Sequence, residues 1–167
     1  MEVALVTAYT GKEQRCVVDL LNALMPYDPD VKVIQATKAS FLVISNLNPN
    51  AVLSYLKLSP PRCAAKVYPI HIVTAAELEE LVHSVAEYIT LRRTLFEGKK
   101  FYAECTVRSG RFPCREAEIG IGIALRGIML VNFDDPDYII HVNVVRDKAY
   151  VSVLQPMQEK LSENPPR

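Results

Sequence analysis

The first 72 residues carry apolar runs that alternate between strand and helix periods in the order β-α-β-β-α-β, and this order most constrains the fold. Residues 3–9 are rich in β-formers and read as a buried strand. Thr10 and Glu13 have the spacing of a capping box, in which two side chains satisfy the first free N–H groups of a helix. Val17, Leu20, Leu21 and Leu24 follow at helical spacing until Pro26 stops them. Strands at 31–37 and 41–45 come next. Asn48-Pro49 then reads as an N-cap with proline at the first helical position, opening a helix through Val52, Leu53 and Leu56. Ser59-Pro60-Pro61 ends it, and 64–73 returns as one strand, with Pro69 marking an edge or a bulge. This is the split-βαβ arrangement of ferredoxin-like domains.

The second half restarts with a stronger helix. Thr74 and Glu77 offer another capping box, and Leu78, Leu81, Val82, Val85 and Ile89 make one apolar stripe. Residues 99–108 alternate cleanly, with Phe101, Ala103, Cys105 and Val107 on one face, as in a half-buried strand. A loop, Ser109-Gly110-Arg111-Phe112-Pro113, leads into a helix over 114–126. Residues 138–146 and 149–154 read as a hairpin turning at Asp147-Lys148, followed by a polar, proline-ended tail.

Composition excludes the simplest route to nucleic acid, because nineteen basic residues balance nineteen acidic ones. The charge is local instead. Lys99, Lys100, Arg108, Arg111, Arg115 and Arg126 face only Glu104, Glu116 and Glu118 within 99–126. A strand end, an arginine-bearing loop and a helix start together suit an anion, since helix N-termini and guanidinium groups both hold phosphate oxygens. The same pattern also fits an ordinary solvated loop. His71, His83 and His141 lack partners at metal-site spacing, and Asp134, Asp135 and Asp137 suit a turn without a metal. Gly120-Ile121-Gly122 falls inside a helix, where it favours close packing over phosphate cradling. The four cysteines form no CxxC pair and read as small buried apolar residues, with a disulfide as the alternative should the source be a hyperthermophile. No apolar run approaches the ~20 residues that cross a bilayer. Met1-Glu2-Val3-Ala4 opens without a signal-peptide pattern, so a cytoplasmic protein is expected.

The stretch Arg108, Arg111-Phe112-Pro113 and Glu118 to Gly122 resembles the signature of the THUMP family. Val131-Asn132-Phe133-Asp134-Asp135-Pro136-Asp137 is similar to that family's segment before its final hairpin, with Asn132 where aspartate is usual. The resemblance implies an α+β chain: an N-terminal ferredoxin-like domain (1–72), an α/β THUMP domain (73–156) and a flexible tail (157–167). It implies tRNA binding through the acceptor end. Pro61-Arg62 and Val67-Tyr68-Pro69-Ile70 look most like the stand-alone adaptor that presents tRNA to a separate cytidine N4-acetyltransferase. On this reading the chain is not an enzyme and carries no cofactor or metal. Arg108, Arg111 and Arg115 are expected to hold phosphates, with Lys99, Lys100, Arg126 and Lys148 at the rim. Phe112 either stacks on an unpaired base or anchors the loop. The competing expectation is a regulatory or protein-interaction module that binds a small metabolite or a protein partner.

Overall fold

The computed structural model describes residues 1–161. The described residues form two compact units, Met1–Ile70 with residues 157–161, and His71–Pro156. The architecture is mixed α/β with two sheets.

The first unit runs β1 (Glu2–Ala8), α1 (Cys16–Leu24), β2 (Lys32–Thr37), β3 (Ser40–Ile44), α2 (Pro49–Leu58) and β4 (Ala64–Pro69). Its antiparallel sheet has the order β2-β3-β1-β4. Leu20 and Leu24 of α1 and Val52, Leu53 and Leu56 of α2 are buried with Leu5, Phe41, Val43 and Val67 of the strands. The α2 start is local chemistry: the Asn48 side chain accepts the Asn50 N–H at 2.8 Å, and Pro49 fills the first turn. At Thr10–Glu13 the expected capping box does not form. The Glu13 carboxylate accepts the Gly11 N–H at 3.0 Å, and a short 3-10 turn precedes α1, which begins at Cys16.

The second unit contains β5 (Ile72–Ala75), α3 (Leu78–Leu91), α4 (Arg93–Phe96), β6 (Lys100–Ser109), α5 (Cys114–Ala124), β7 (Leu130–Val131), β8 (Tyr138–Val145) and β9 (Lys148–Leu154). Its sheet order is β5-β9-β8-β6-β7, with β6 parallel to both β7 and β8. Leu81, Val85 and Ile89 of α3 meet Ile121 of α5 and Phe101, Ile140, Val142 and Val151 of the sheet in one core. Gly120 serves this packing, because a Cβ there would lie 3.0 Å from the Val82 side chain.

The structure departs from the sequence expectation at four further places. Residues 64–73 are not one strand: β4 and β5 belong to different sheets, separated at Ile70-His71. Thr74 lies in β5, and Glu77 caps α3 instead, accepting the Glu79 and Glu80 N–H groups at 3.2 and 2.9 Å. The cysteines pair as Cys16–Cys63 and Cys105–Cys114, with Cα atoms 5.3 and 5.2 Å apart, because the topology brings together residues that sequence spacing leaves unrelated. Residues 157–161 pack against β4, where Glu159 accepts the Val67 N–H and Lys160 bridges Lys66, although a loose tail is expected there. The remainder of that tail, with Asn164-Pro165-Pro166-Arg167, lies outside the described residues. No helix among the described residues is long and apolar enough to cross a membrane.

Candidate nucleic-acid interface

Because β6 and β8 are parallel, their C-terminal ends lie side by side, and the β6–α5 loop sits at that end. Arg108 is half-buried on β6, and its Nε donates to Asn143 Oδ1 at 2.9 Å. Asn143 is 2 % exposed, so this bond fixes the arginine stem against β8. Gly110 takes a φ of +83°, a region that costs an L side chain and not glycine. A Cβ there would lie 3.1 Å from the Arg146 Cα, so the loop backbone runs against the turn after β8. The Arg146 N–H in turn donates to the Ser109 carbonyl at 2.9 Å. Arg111 is exposed and has no charged partner among the described residues. The Cys105–Cys114 disulfide closes the base of the whole segment, joining β6 to the first residue of α5. Helix α5 begins at Cys114, with Pro113 as its N-cap and no side-chain cap; the Cys114 N–H goes to the Phe112 carbonyl at 2.9 Å, and the N–H groups of Arg115 and Glu116 remain to face an anion.

The expected site residues therefore separate into groups. Arg108 and Arg111 share the C-terminal end of β6 with Arg146, which reading the sequence missed; the only hint was a turn following an apolar run. Lys148, exposed at the start of β9, belongs to the same hairpin end. Phe112 is half-buried against the core of this unit, which is the anchoring alternative. Lys99 and Lys100 sit at the opposite end of β6, about 30 Å away at ~3.3 Å per residue. Lys100 is also engaged: its Nζ lies 3.0 Å from the Asp135 carboxylate, and that hydrogen bond holds its pKa above the ordinary lysine value. Arg115 and Arg126 line a groove along the exposed side of α5.

The other chemistry-bearing residues have structural work. Asp137 accepts the Lys100 N–H at 2.9 Å, and Asn132 Oδ1 accepts the Asp134 and Asp135 N–H groups, so the acidic turn orders itself. His71 Nδ1 accepts the Val153 N–H at 3.0 Å, and burial, with Arg92 nearby, pushes its pKa down to about 4. His83 lies 3.6 Å from Glu87 on α3, and the buried His141 lies 3.5 Å from Glu104.

A mixed α/β chain whose loop arginines gather at a parallel strand end defines the class of protein to compare. The chain is similar to PH1313 from Pyrococcus horikoshii Ot3, with a TM-score of 0.77 and 17% identity over 96% of this chain and 55% of that one. It is similar to TrmN from Thermus thermophilus, with a TM-score of 0.66 and 19% identity over 98% of this chain and 48% of that one. A 4-thiouridine synthetase, crystallised with RNA and bound ATP, gives a TM-score of 0.64 and 13% identity over 92% and 41%. These likenesses support a THUMP-like fold. The chain spans about half the length of the first two structures. No protein-family model matches it, and no curated protein matches it in sequence.

Proposed function

We propose that this chain binds tRNA and presents it to a separate modification enzyme, without performing chemistry itself. The observation that carries the reading is the convergence of Arg108, Arg111 and Arg146 at the C-terminal ends of β6 and β8, beside the uncapped start of α5. Arginine forks match phosphate oxygens in pairs, and the helix start adds further N–H donors. The likeness to a synthetase crystallised with RNA supports a polynucleotide as the anion. A-form helices offer side chains little sequence to read, so recognition rests on backbone shape and an unpaired end. The β-α-β-β-α-β first unit is read as a ferredoxin-like domain acting with the second on one tRNA acceptor end. The finer reading, an adaptor for a tRNA cytidine N4-acetyltransferase in the cytoplasm, rests on the sequence resemblance.

The test is binding of labelled tRNA, intact or stripped of its single-stranded 3′ end, across a salt series. Arg111→Ala and Arg146→Ala are run beside the wild type, with Arg108→Lys preserving a donor for Asn143. Binding that needs the 3′ end, with each alanine variant lowering the salt slope by about one, supports the reading. Equal binding of random duplex and unchanged slopes overturn it.

A further inference from the structure

We propose that the groove between α5, β7 and the outer edge of β6 docks an extended, acidic segment of a partner protein, which continues the short β7 pairing along β6 at Ala103. This goes beyond RNA capture and stands without it.

The first observation is an incomplete sheet edge. β6 has ten residues, but its outer neighbour β7 pairs only at Lys100 and Phe101. The outward carbonyls of Lys99 and Phe101 accept the Leu130 and Asn132 N–H groups at 2.9 and 2.8 Å. Strand alternation turns the backbones of Ala103, Cys105 and Val107 toward the same side. The Cys105 N–H is taken there by the Glu118 carboxylate at 2.9 Å, whereas no strand among the described residues lies beyond Ala103, which lines the groove. An unpaired edge is a template for another chain.

The second observation is the apolar groove beside that edge, with a volume of about 600 Å³. Ile119 and Ile123 of α5 are each 52 % exposed, and Leu130, Val131 and Phe133 are 61 %, 51 % and 72 % exposed. Five large apolar side chains exposed around one groove mark a binding surface rather than scattered surface residues.

Charge selects the occupant. Arg115 near the start of α5 and Arg126 just past its end both line the groove. Both are exposed, and neither has an ion-pair partner among the described residues. The groove's one carboxylate, Glu118, is committed to the Cys105 N–H. The chemistry that fits is a strand with apolar side chains toward Ile119 and Ile123 and carboxylates toward the arginines. A peptide fits better than single-stranded RNA because most of the apolar lining, Ile119, Ile123, Met129, Leu130 and Val131, is aliphatic. Bases seek aromatic faces, and the exposed ring here, Phe133, already stacks on Tyr102 with centroids 5.6 Å apart.

The experiment is selection of displayed random sixteen-residue peptides on the full chain, with counter-selection on the Ile123→Arg variant. Ile123 is exposed, so this variant keeps the fold, which a thermal melt verifies; Arg126→Glu is the second variant. The expected peptides alternate Asp or Glu with β-branched or aromatic residues and bind Arg126→Glu at least tenfold more weakly. On binding, they slow hydrogen exchange at the Ala103 amide. Recovery of no groove-dependent peptide, equal binding to both variants, or unchanged exchange at the Ala103 amide overturns the proposal. Cross-linking of single-stranded RNA to Phe133 and Ile123 in place of peptide overturns it as well.

Discussion

The Glu118 carboxylate accepts the Cys105 backbone N–H at 2.9 Å, tying the middle of α5 to the unpaired edge of β6. Without it a half-buried strand N–H would face an apolar groove. Replacing a charged acceptor of this kind costs about 1.5–3 kcal/mol. Glu118→Ala is therefore expected to lower the urea midpoint and to speed hydrogen exchange at Cys105. Glu118→Gln, which keeps an acceptor oxygen, should lose less than half as much. Identical midpoints and exchange rates in the wild type and both variants would show that the bond contributes nothing.

Gly110 and Gly98 both take positive φ, at +83° and +78°, but only Gly110 runs against another backbone. Alanine at either position meets the left-handed penalty of about 1–2 kcal/mol. Gly110→Ala must additionally displace the Arg146 backbone at 3.1 Å, whereas nothing lies within 4 Å at Gly98. Thermal melts should rank Gly110→Ala as the more damaging, with faster exchange at the Arg146 amide. Equal melting temperatures would contradict the close approach.

The two disulfides close loops of different length, with sequence separations of 47 and 9. In the chain-entropy account, removal costs about 4 kcal/mol for the longer loop and about 3 kcal/mol for the shorter. The paired Cys16→Ala, Cys63→Ala variant should therefore be less stable than the paired Cys105→Ala, Cys114→Ala variant. The shorter bridge holds the arginine loop, so its loss should also loosen Ser109–Pro113 by hydrogen exchange. A reversed order of stability would place the dominant effect in native packing rather than in the unfolded chain.

His71 is held neutral: burial and the Arg92 charge push its pKa down to about 4, and protonating Nδ1 would break its bond from Val153. The unfolded chain takes up this proton near pH 6.5, the folded chain only near 4. Stability from this residue is thus complete above pH 6.5 and falls as the pH drops toward 4, by about 3 kcal/mol in all. Urea denaturation of wild type and His71→Gln from pH 7.5 to 4 should show that slope only in the wild type. An NMR titration with His71 changing near pH 6.5 in the folded protein would refute the assignment.

The sequence by itself determined whatever depends on near neighbours. The Asn48-Pro49 helix start, the apolar stripe of α3, the alternation along β6 and the β8–β9 hairpin all rest on side chains a few residues apart. The strand–loop–helix placement of Arg108, Arg111 and Arg115 was legible for the same reason. The tertiary structure alone decided what depends on distant ones. It divided residues 64–73 between two sheets, because strand pairing is a choice among partners from the whole chain. It joined Cys16 to Cys63 and set Arg146 against Gly110, contacts that no local period encodes. It also placed Lys99 and Lys100 at the far end of β6 from Arg108, although all three count as one basic cluster along the sequence. A strand separates in space what it connects in the chain, and pairing brings together what the chain holds apart.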